Sequence, residues 1–196
     1  MKYIKRFILL SFSFLTLNQS VNADVVFEMG LENGSEEIIT TTLGRAINSG
    51  GGIKLSIGLK ENFNKGKYGS VSFMTGLLFD NLRGENGKAK IFAPVLDAIY
   101  RINSGKHVFG IGATMHVKPV YKDNIDEFEP LEIIFETATG TVLEYGYFIT
   151  RKLLLSLKST SLTYTPYEVT YGDTKYYPIG LESNADSIGL YLSGKF

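Results

Sequence analysis

Histidine and cysteine, two residue types central to nucleophilic and metal chemistry, are scarce or absent in this chain. It contains two histidines and no cysteine, which excludes a thiolate nucleophile, a disulfide framework and a thiolate metal site. A hydroxyl nucleophile needs a base within hydrogen-bond reach. His116 is the only plausible base on a predicted strand, and the three residues that follow it, Val-Lys-Pro, include no hydroxyl. We therefore predict no catalytic, cofactor-binding or metal site, and we expect that the protein is not an enzyme.

Two polar stretches are candidates for binding. Residues 164–182 are rich in tyrosine, whose large rigid side chain with a polar tip suits contact surfaces. The alternative is a loop that packs on itself or lies at lipid headgroups. Residues 123–129 are acidic, but without a fixed ligand spacing a solvated loop is the better interpretation than a cation site. The candidate surface-loop contacts are Tyr167, Tyr171, Tyr176 and Tyr177.

The first 23 residues predict a secretory signal peptide. Three basic residues within the first six precede an uncharged run over residues 7–17, and Val21-Asn22-Ala23 forms a small-x-small site before the predicted cleavage point after Ala23. The run is shorter than the ~20 residues that a membrane-spanning helix needs. The remaining domain, residues 24–196, has 17 basic and 20 acidic residues, a net charge of −3. This balance gives no electrostatic footprint for nucleic acid.

Alternation of apolar and polar residues with a period of two predicts eight β-strands. The clearest case is residues 53–60, where Ile and Leu alternate with Lys, Ser and Gly. Pro94 would remove a hydrogen-bond donor from its strand, so we expect a bulge there. The predicted strands cover residues 25–32, 53–60, 68–80, 92–102, 109–118, 141–149, 153–160 and 188–196.

Short connections alternate with long ones between these strands. This arrangement is typical of membrane barrels with short turns on one side and long loops on the other. A closed barrel also satisfies every backbone group in lipid. We therefore predict an all-β fold, an eight-stranded antiparallel transmembrane up-and-down β-barrel. A soluble sandwich or lipocalin-like barrel would put charges outside, whereas here the charges share faces with Gly and Ser. The short connections lie near 60–67, 103–106 and 150–152, and the long ones at 33–49, 81–89, 119–140 and 164–182.

The last strand, IGLYLSGKF over residues 188–196, has apolar residues at alternate positions and ends in Phe196. It resembles the closing strand of Gram-negative outer-membrane β-barrels, although Gly194 departs from the larger residue usual there. The resemblance implies the cell outer membrane, reached through the periplasm. It also implies contact with outer-membrane lipid and lipopolysaccharide, and recognition of the last strand by the barrel-assembly machinery. Segments similar to an uncharacterised group of small barrels are residues 49–53 (SGGGI), 93–101 (APVLDAIYR), 140–147 (GTVLEYGY) and 162–164 (LTY).

Charged residues on the inward faces predict a structural polar network in the lumen. A three-residue turn at 150–152 keeps outward residues opposite outward residues, and it places Glu144 opposite Lys158 as a predicted charge pair. A turn at residues 104–105 would place Arg101 opposite Val108 and Asp97 opposite Gly112. The predicted members of the network are Glu28, Glu32, Lys54, Asp97, Arg101, His116, Glu144 and Lys158.

We expect a structural or surface-interaction role through the long external loops, because eight strands leave an interior that side chains can fill. Two alternatives stay open. One is an outer-membrane enzyme that modifies lipid A with a catalytic set centred on His116, and the other is a narrow channel for small molecules. The sequence does not indicate which ligand the external loops would bind.

Overall fold

The computed structural model describes residues 23–40, 46–63, 69–84 and 86–196. These residues form β-strands joined by turns and short loops, and they contain no helix that is long and apolar enough to cross a membrane. The strands are β1 (Ala23–Gly34), β2 (Glu36–Thr40), β3 (Ala46–Ser49), β4 (Gly52–Phe63), β5 (Gly69–Gly84), β6 (Gly87–Ser104), β7 (His107–His116), β8 (Val120–Ile125), β9 (Leu131–Phe135), β10 (Ala138–Phe148), β11 (Leu153–Ser161), β12 (Thr163–Tyr164), β13 (Pro166–Tyr171), β14 (Thr174–Tyr176), β15 (Ser183–Asn184) and β16 (Ser187–Lys195).

Eight of these strands close a barrel in the order β1-β4-β5-β6-β7-β10-β11-β16. All neighbours are antiparallel, and the last strand returns to the first, with Met29 opposite Leu192. Closure removes the free edges that an open sheet would present. The eight predicted strands are the eight barrel strands, and the predicted antiparallel up-and-down barrel is confirmed.

The wall of the barrel is apolar outside and polar inside. In β1, Phe27, Met29 and Leu31 point outward and are exposed, while Glu28 and Glu32 point inward and are buried. A soluble protein rarely exposes a large continuous apolar surface, whereas a membrane barrel requires one. We call this outer surface the apolar belt; its exposed members include Phe27, Met29, Leu31, Ile53, Leu55, Ile57, Phe73, Phe79, Leu96, Tyr100, Ile102, Phe109, Ile111, Leu143, Tyr145, Tyr147, Leu155, Leu157, Ile188, Leu190 and Leu192.

At one end the wall continues beyond the belt as a curved sheet. We call this extension the crown; it consists of the ends of β5 and β6 nearest their hairpin, together with β8, β9, β13 and β14. β8 pairs with β6, β9 with β8, β13 with β9, and β14 with β13. The loop predicted at 81–89 is wrong, because β5 and β6 stay paired up to Gly84 and Gly87. The outward residues of this hairpin are polar, as in a loop. They nevertheless form strands, because β5 and β6 pair with each other and β6 pairs with β8.

The crown encloses an apolar core, which also takes in residues of β3, β10 and β12, together with Leu162 and Ala185 from the connections beside β12 and β15. Tyr164 is completely buried in it, and Phe135 packs against the Tyr164 ring with centroids 5.2 Å apart. The core therefore lies over the end of the barrel lumen from which the long connections project. The buried members are Ile47, Leu82, Ala89, Ile91, Tyr121, Phe135, Ala138, Leu162, Tyr164 and Ala185.

The strand irregularity expected at Pro94 is present, but its partner strand carries the extra residue. The pairing of β5 with β6 runs through Pro94 without a break. On the other side, β6 changes partner from β7 to β8, with residues 93–94 facing the three residues 117–119. Lys118, in the middle of that segment, has φ of 45°. Pro94 thus lies where its strand changes partners, and the Pro94 carbonyl accepts a 2.8 Å hydrogen bond from the Val117 N–H.

One predicted register is confirmed and another is shifted. The β10–β11 pairing places Glu144 opposite Lys158, as predicted. The β6–β7 turn, however, consists of residues 105–106, with Gly105 at φ of 63°. Arg101 therefore lies opposite Gly110 rather than Val108. The shift is two residues, so every side chain stays on its predicted face.

Two predictions concern residues outside the described ranges. The predicted signal peptide, residues 1–23, lies outside them except for Ala23, and its cleavage after Ala23 stays a prediction. Half of the short connection predicted near 60–67 also lies outside, because residues 64–68 are not described.

Candidate functional site

The inward faces of the barrel strands bring most of the predicted lumen residues into one cluster. We call it the lumen network. All eight residues predicted for it are buried. Lys60 is a further buried cation, nearer the end of the barrel that carries the short turns, which we call the turn end. The buried set thus holds four carboxylates and four Lys or Arg side chains in the described part of the chain. Buried charges are tolerated when they are paired and hydrogen-bonded. In the described structure, every one of these side chains except Lys60 lies within 4.0 Å of an opposite charge.

Glu28 is the centre of one part of the network. Its carboxylate contacts the ammonium of Lys158, and it accepts a 2.7 Å hydrogen bond from Ser193 Oγ. Arg101 Nη2 lies 4.0 Å from the same carboxylate. Glu28 therefore links three other strands of the barrel to β1.

Arg101 binds Glu144 with two hydrogen bonds. Arg101 Nε donates to Glu144 Oε2 at 2.6 Å, and Nη2 donates to Oε1 at 3.4 Å. Its Nη1 donates to Ser72 Oγ at 2.5 Å. The planar guanidinium suits this two-point binding of a carboxylate.

Glu144 and Lys158 are buried cross-strand neighbours, as predicted, but no direct ion contact joins their side chains in the described structure. Among the described residues, Lys158 is paired with Glu28 and Glu144 with Arg101. Long side chains in a narrow lumen reach residues on other strands, so cross-strand register alone does not determine the ion-pair partner. The direct ion contacts of Glu144 and Lys158 are therefore with Arg101 and Glu28.

Lys54 organises a second part of the network, towards the crown. Its ammonium lies 2.8 Å from Asp97 Oδ2 and 3.8 Å from Glu32 Oε1. Thr114 Oγ1 donates to Asp97 Oδ1 at 2.6 Å, and Ser187 Oγ donates to Glu32 Oε2 at 3.1 Å. Both carboxylates thus have a hydroxyl donor as well as a cation.

Tyr191 is a lumen residue that the sequence analysis did not select. Its ring lies against Gly30, where an added Cβ would come within 2.3 Å of ring carbons. The ammonium of Lys158 lies 4.3 Å from the ring centroid, within range of a cation–π interaction. The sequence pattern that could have identified Tyr191 as a lumen residue is its alternation with Ser193 on the inward face of the last strand.

His116 is inward-facing and buried, but its described hydrogen bond leads into the crown. Nδ1 lies 2.6 Å from the hydroxyl of Tyr164. Burial raises the pKa of the Tyr164 hydroxyl above its ordinary value, so this group stays protonated at neutral pH. His116 therefore joins the lumen to the apolar core and is not paired with a charged residue in the described structure.

The four tyrosines predicted as surface contacts are all exposed. Tyr167 and Tyr177 pack edge to face, with centroids 6.3 Å apart. Tyr171 and Tyr176 lie on β13 and β14, at the outer edge of the crown. The structure brings them to one side of the crown, and their role as contacts stays a prediction.

No family model and no curated protein sequence matches the chain. Among solved structures, it is similar to neisserial surface protein A, with 12% identity and a TM-score of 0.47 over 89% of this chain and 97% of that one. It is also similar to an outer membrane channel from Pseudomonas putida F1, with 8% identity and a TM-score of 0.28 over 89% and 96% of the two chains. The fold assignment rests on the closed strand pairing and the apolar belt. The chain has the architecture of a small outer-membrane β-barrel.

Proposed function

We propose that the chain is an integral outer-membrane protein with a side-chain-filled, non-conducting lumen. Its crown faces the cell exterior and gives the protein a structural or surface-interaction role. The observation that carries this proposal is the combination of a charge-free apolar belt with a buried, paired network inside it. Residues 1–23 serve as the signal for export through the periplasm.

The distribution of aromatic residues supports the orientation. Tyr100, Tyr145 and Tyr147 lie on the outer surface near the tight turns, and Phe63 packs 6.2 Å from Tyr100. Tyrosine is enriched at membrane–water interfaces, so these residues mark the end of the belt nearest the turns. In barrels of this class the short turns face the periplasm, and this supports our assignment of the crown to the cell exterior.

Two separate barriers support a sealed lumen. The first is the lumen network, in which Arg101 and Lys158 are almost completely buried. The second is the apolar core of the crown, with Tyr164 at its centre. A narrow channel would need a water-filled path through both, so we favour a protein that does not conduct.

The position of His116 disfavours lipid-modifying catalysis. Lipid A would lie outside the barrel wall, whereas the imidazole points inward and binds Tyr164. We therefore propose that the protein is not an enzyme. Mass spectrometry of lipid A from cells with and without the protein tests this, and a change that depends on His116 would contradict it.

The last strand supports the proposed assembly partner. Phe196 is largely exposed, and its backbone N–H donates a 3.0 Å hydrogen bond to the Val25 carbonyl. Phe196 is an accessible aromatic residue beside the β1–β16 pairing that closes the barrel, which we call the closing seam. Such a residue suits recognition by the barrel-assembly machinery. Outer-membrane lipid and lipopolysaccharide are the proposed surroundings of the apolar belt.

Reconstitution tests insertion and sealing separately. Refolded protein should float with lipid vesicles and show the altered electrophoretic mobility of an unheated, folded barrel. In planar bilayers the same preparation should produce no discrete current steps, while an open porin recorded in parallel confirms the assay. Failure to float would overturn insertion, and reproducible current steps from folded protein would overturn the sealed lumen.

A further inference from the structure

Four basic side chains form a cluster on the outer face of the crown. Arg83 lies directly opposite Lys88, and Lys90 lies directly opposite Lys122. Lys88 and Lys90 alternate with buried residues on β6, so they share its outward face. All four side chains are exposed. We call Arg83, Lys88, Lys90 and Lys122 the basic cluster.

The cluster has too little negative charge around it. Like charges directly opposite each other on neighbouring strands are destabilising. Lys122 is paired with Glu132 at 2.6 Å. In the described part of the chain, the side chains of Arg83, Lys88 and Lys90 have no carboxylate partner. Among the described residues, these three adjacent cations are thus left without a carboxylate counter-charge.

The basic cluster lies directly above the apolar belt. On the outward face, Phe79 is opposite Phe92, and Phe92 is opposite Val120. Lys90 and Lys122 are each two residues further towards the crown, about 6.7 Å along a strand. Their ammonium groups therefore lie near the level where a hydrocarbon layer meets its headgroups, and their aliphatic stems can lie along the apolar row.

We propose that the basic cluster binds a lipid headgroup that carries more than one phosphate, the phosphorylated lipid A of outer-leaflet lipopolysaccharide. The cluster covers three strands, about 10 Å across, and two rows of side chains, about 7 Å along the strands, which exceeds the size of a single phosphate. Arginine and lysine are the usual phosphate partners in proteins. This inference rests on the proposed function, because the crown must face the leaflet that holds the headgroup.

The opposite side of the barrel gives this binding a direction. Above the belt on β10 and β11, the outward exposed residues are Thr139, Thr141, Ser159 and Ser161, which carry no charge. Phosphate binding is therefore expected on the side of the barrel formed by β5, β6 and β8 and not on the side formed by β10 and β11.

Binding is measured with protein folded in neutral detergent, using fluorescent lipid A as the probe. The test variant is the triple substitution Arg83→Gln, Lys88→Gln and Lys90→Gln, which removes the three unpaired charges. The matched control removes three exposed charges at the turn end, by Lys106→Gln, Arg151→Gln and Lys152→Gln. Altered electrophoretic mobility of each unheated sample confirms that it is folded.

The test variant should bind lipid A roughly tenfold or more weakly, because charge-assisted contacts to phosphate are lost. The control should bind like the unchanged protein, and lipid A without its phosphates should bind the unchanged protein as weakly as lipid A binds the test variant. Millimolar inorganic phosphate should not displace the probe; displacement would assign the cluster to free phosphate and overturn the lipid proposal. Equal affinities of the test variant and the unchanged protein would also overturn it. Because binding is measured in detergent, a failure here is distinct from failure to insert into vesicles.

Discussion

The lumen network and the interior of the crown are two interiors enclosed by one continuous wall. Inside the apolar belt, the enclosed side chains are charged and paired, as with Lys54 and Asp97. Inside the crown, the enclosed side chains are apolar, as with Ile91 and Phe135. The polarity of the interior is therefore opposite to that of the surroundings in both regions.

The difference follows from the solvent outside each part of the wall. Where the wall faces water, moving apolar side chains to the interior removes them from water and stabilises the fold. Where the wall faces lipid, no such gain exists, because the hydrocarbon outside is as apolar as any core. Hydrogen bonds and charge pairs can then fill the interior, and they favour one arrangement of strands over alternatives.

The largest expected effect comes from removing one partner of a buried pair in the lumen network. Glu28→Ala should destabilise the barrel by about 3–5 kcal/mol, since it leaves Lys158 buried without its carboxylate. The double change Glu28→Ala with Lys158→Ala should cost less than the sum of the two single changes. Urea unfolding in lipid vesicles, monitored by electrophoretic mobility, measures the coupling.

The Glu144–Lys158 cycle is the matched control for that measurement. These two residues are cross-strand neighbours but are paired with other residues, so their coupling should be clearly smaller than that of Glu28 with Lys158. Equal coupling in both cycles would mean that strand register, and not the observed ion pairs, determines the energetics.

A smaller and more local effect is expected in the crown. Ile91→Ala should cost about 2–5 kcal/mol, as do comparable truncations in apolar cores. The loss of stability should appear as faster hydrogen exchange in β8, β9 and β13. Exchange in the parts of the barrel strands that form the apolar belt should not change. Equal loss of protection in both regions would show that the two interiors unfold as one unit.

The smallest effect is expected at the junction of the two regions. Tyr164→Phe keeps the packing and removes the hydroxyl that binds His116, which should cost about 1–3 kcal/mol for the unsatisfied buried nitrogen. Hydrogen exchange near residue 116 and across the crown should both increase slightly. No change at either place would mean that the hydrogen bond does not couple the interiors.

Alternation in the sequence was sufficient to predict the barrel and the face of each lumen residue. Residues two apart on a strand share a face, so the alternation identifies which side chains point into the lumen. A register error of two residues, as at Arg101, does not change that face. Ion-pair partners could not be predicted, because Lys158 on β11 reaches past β16 to Glu28 on β1, a strand far away in the chain. The crown was largely missed because its outward lysines and turn residues resemble loop composition until the pairing strands are known.

The closing seam also has a consequence for folding. Glu28 receives its contacts from Lys158 and Ser193, which lie 130 and 165 residues further along the chain. Contacts so distant in sequence form late and slow the folding of a domain. A chain that lacks its final strands would leave a bare carboxylate in the first one. The Glu28 carboxylate is therefore stabilised only when the late strands have joined the barrel. A barrel closed without those strands would contain a buried, unpaired carboxylate and would be less stable.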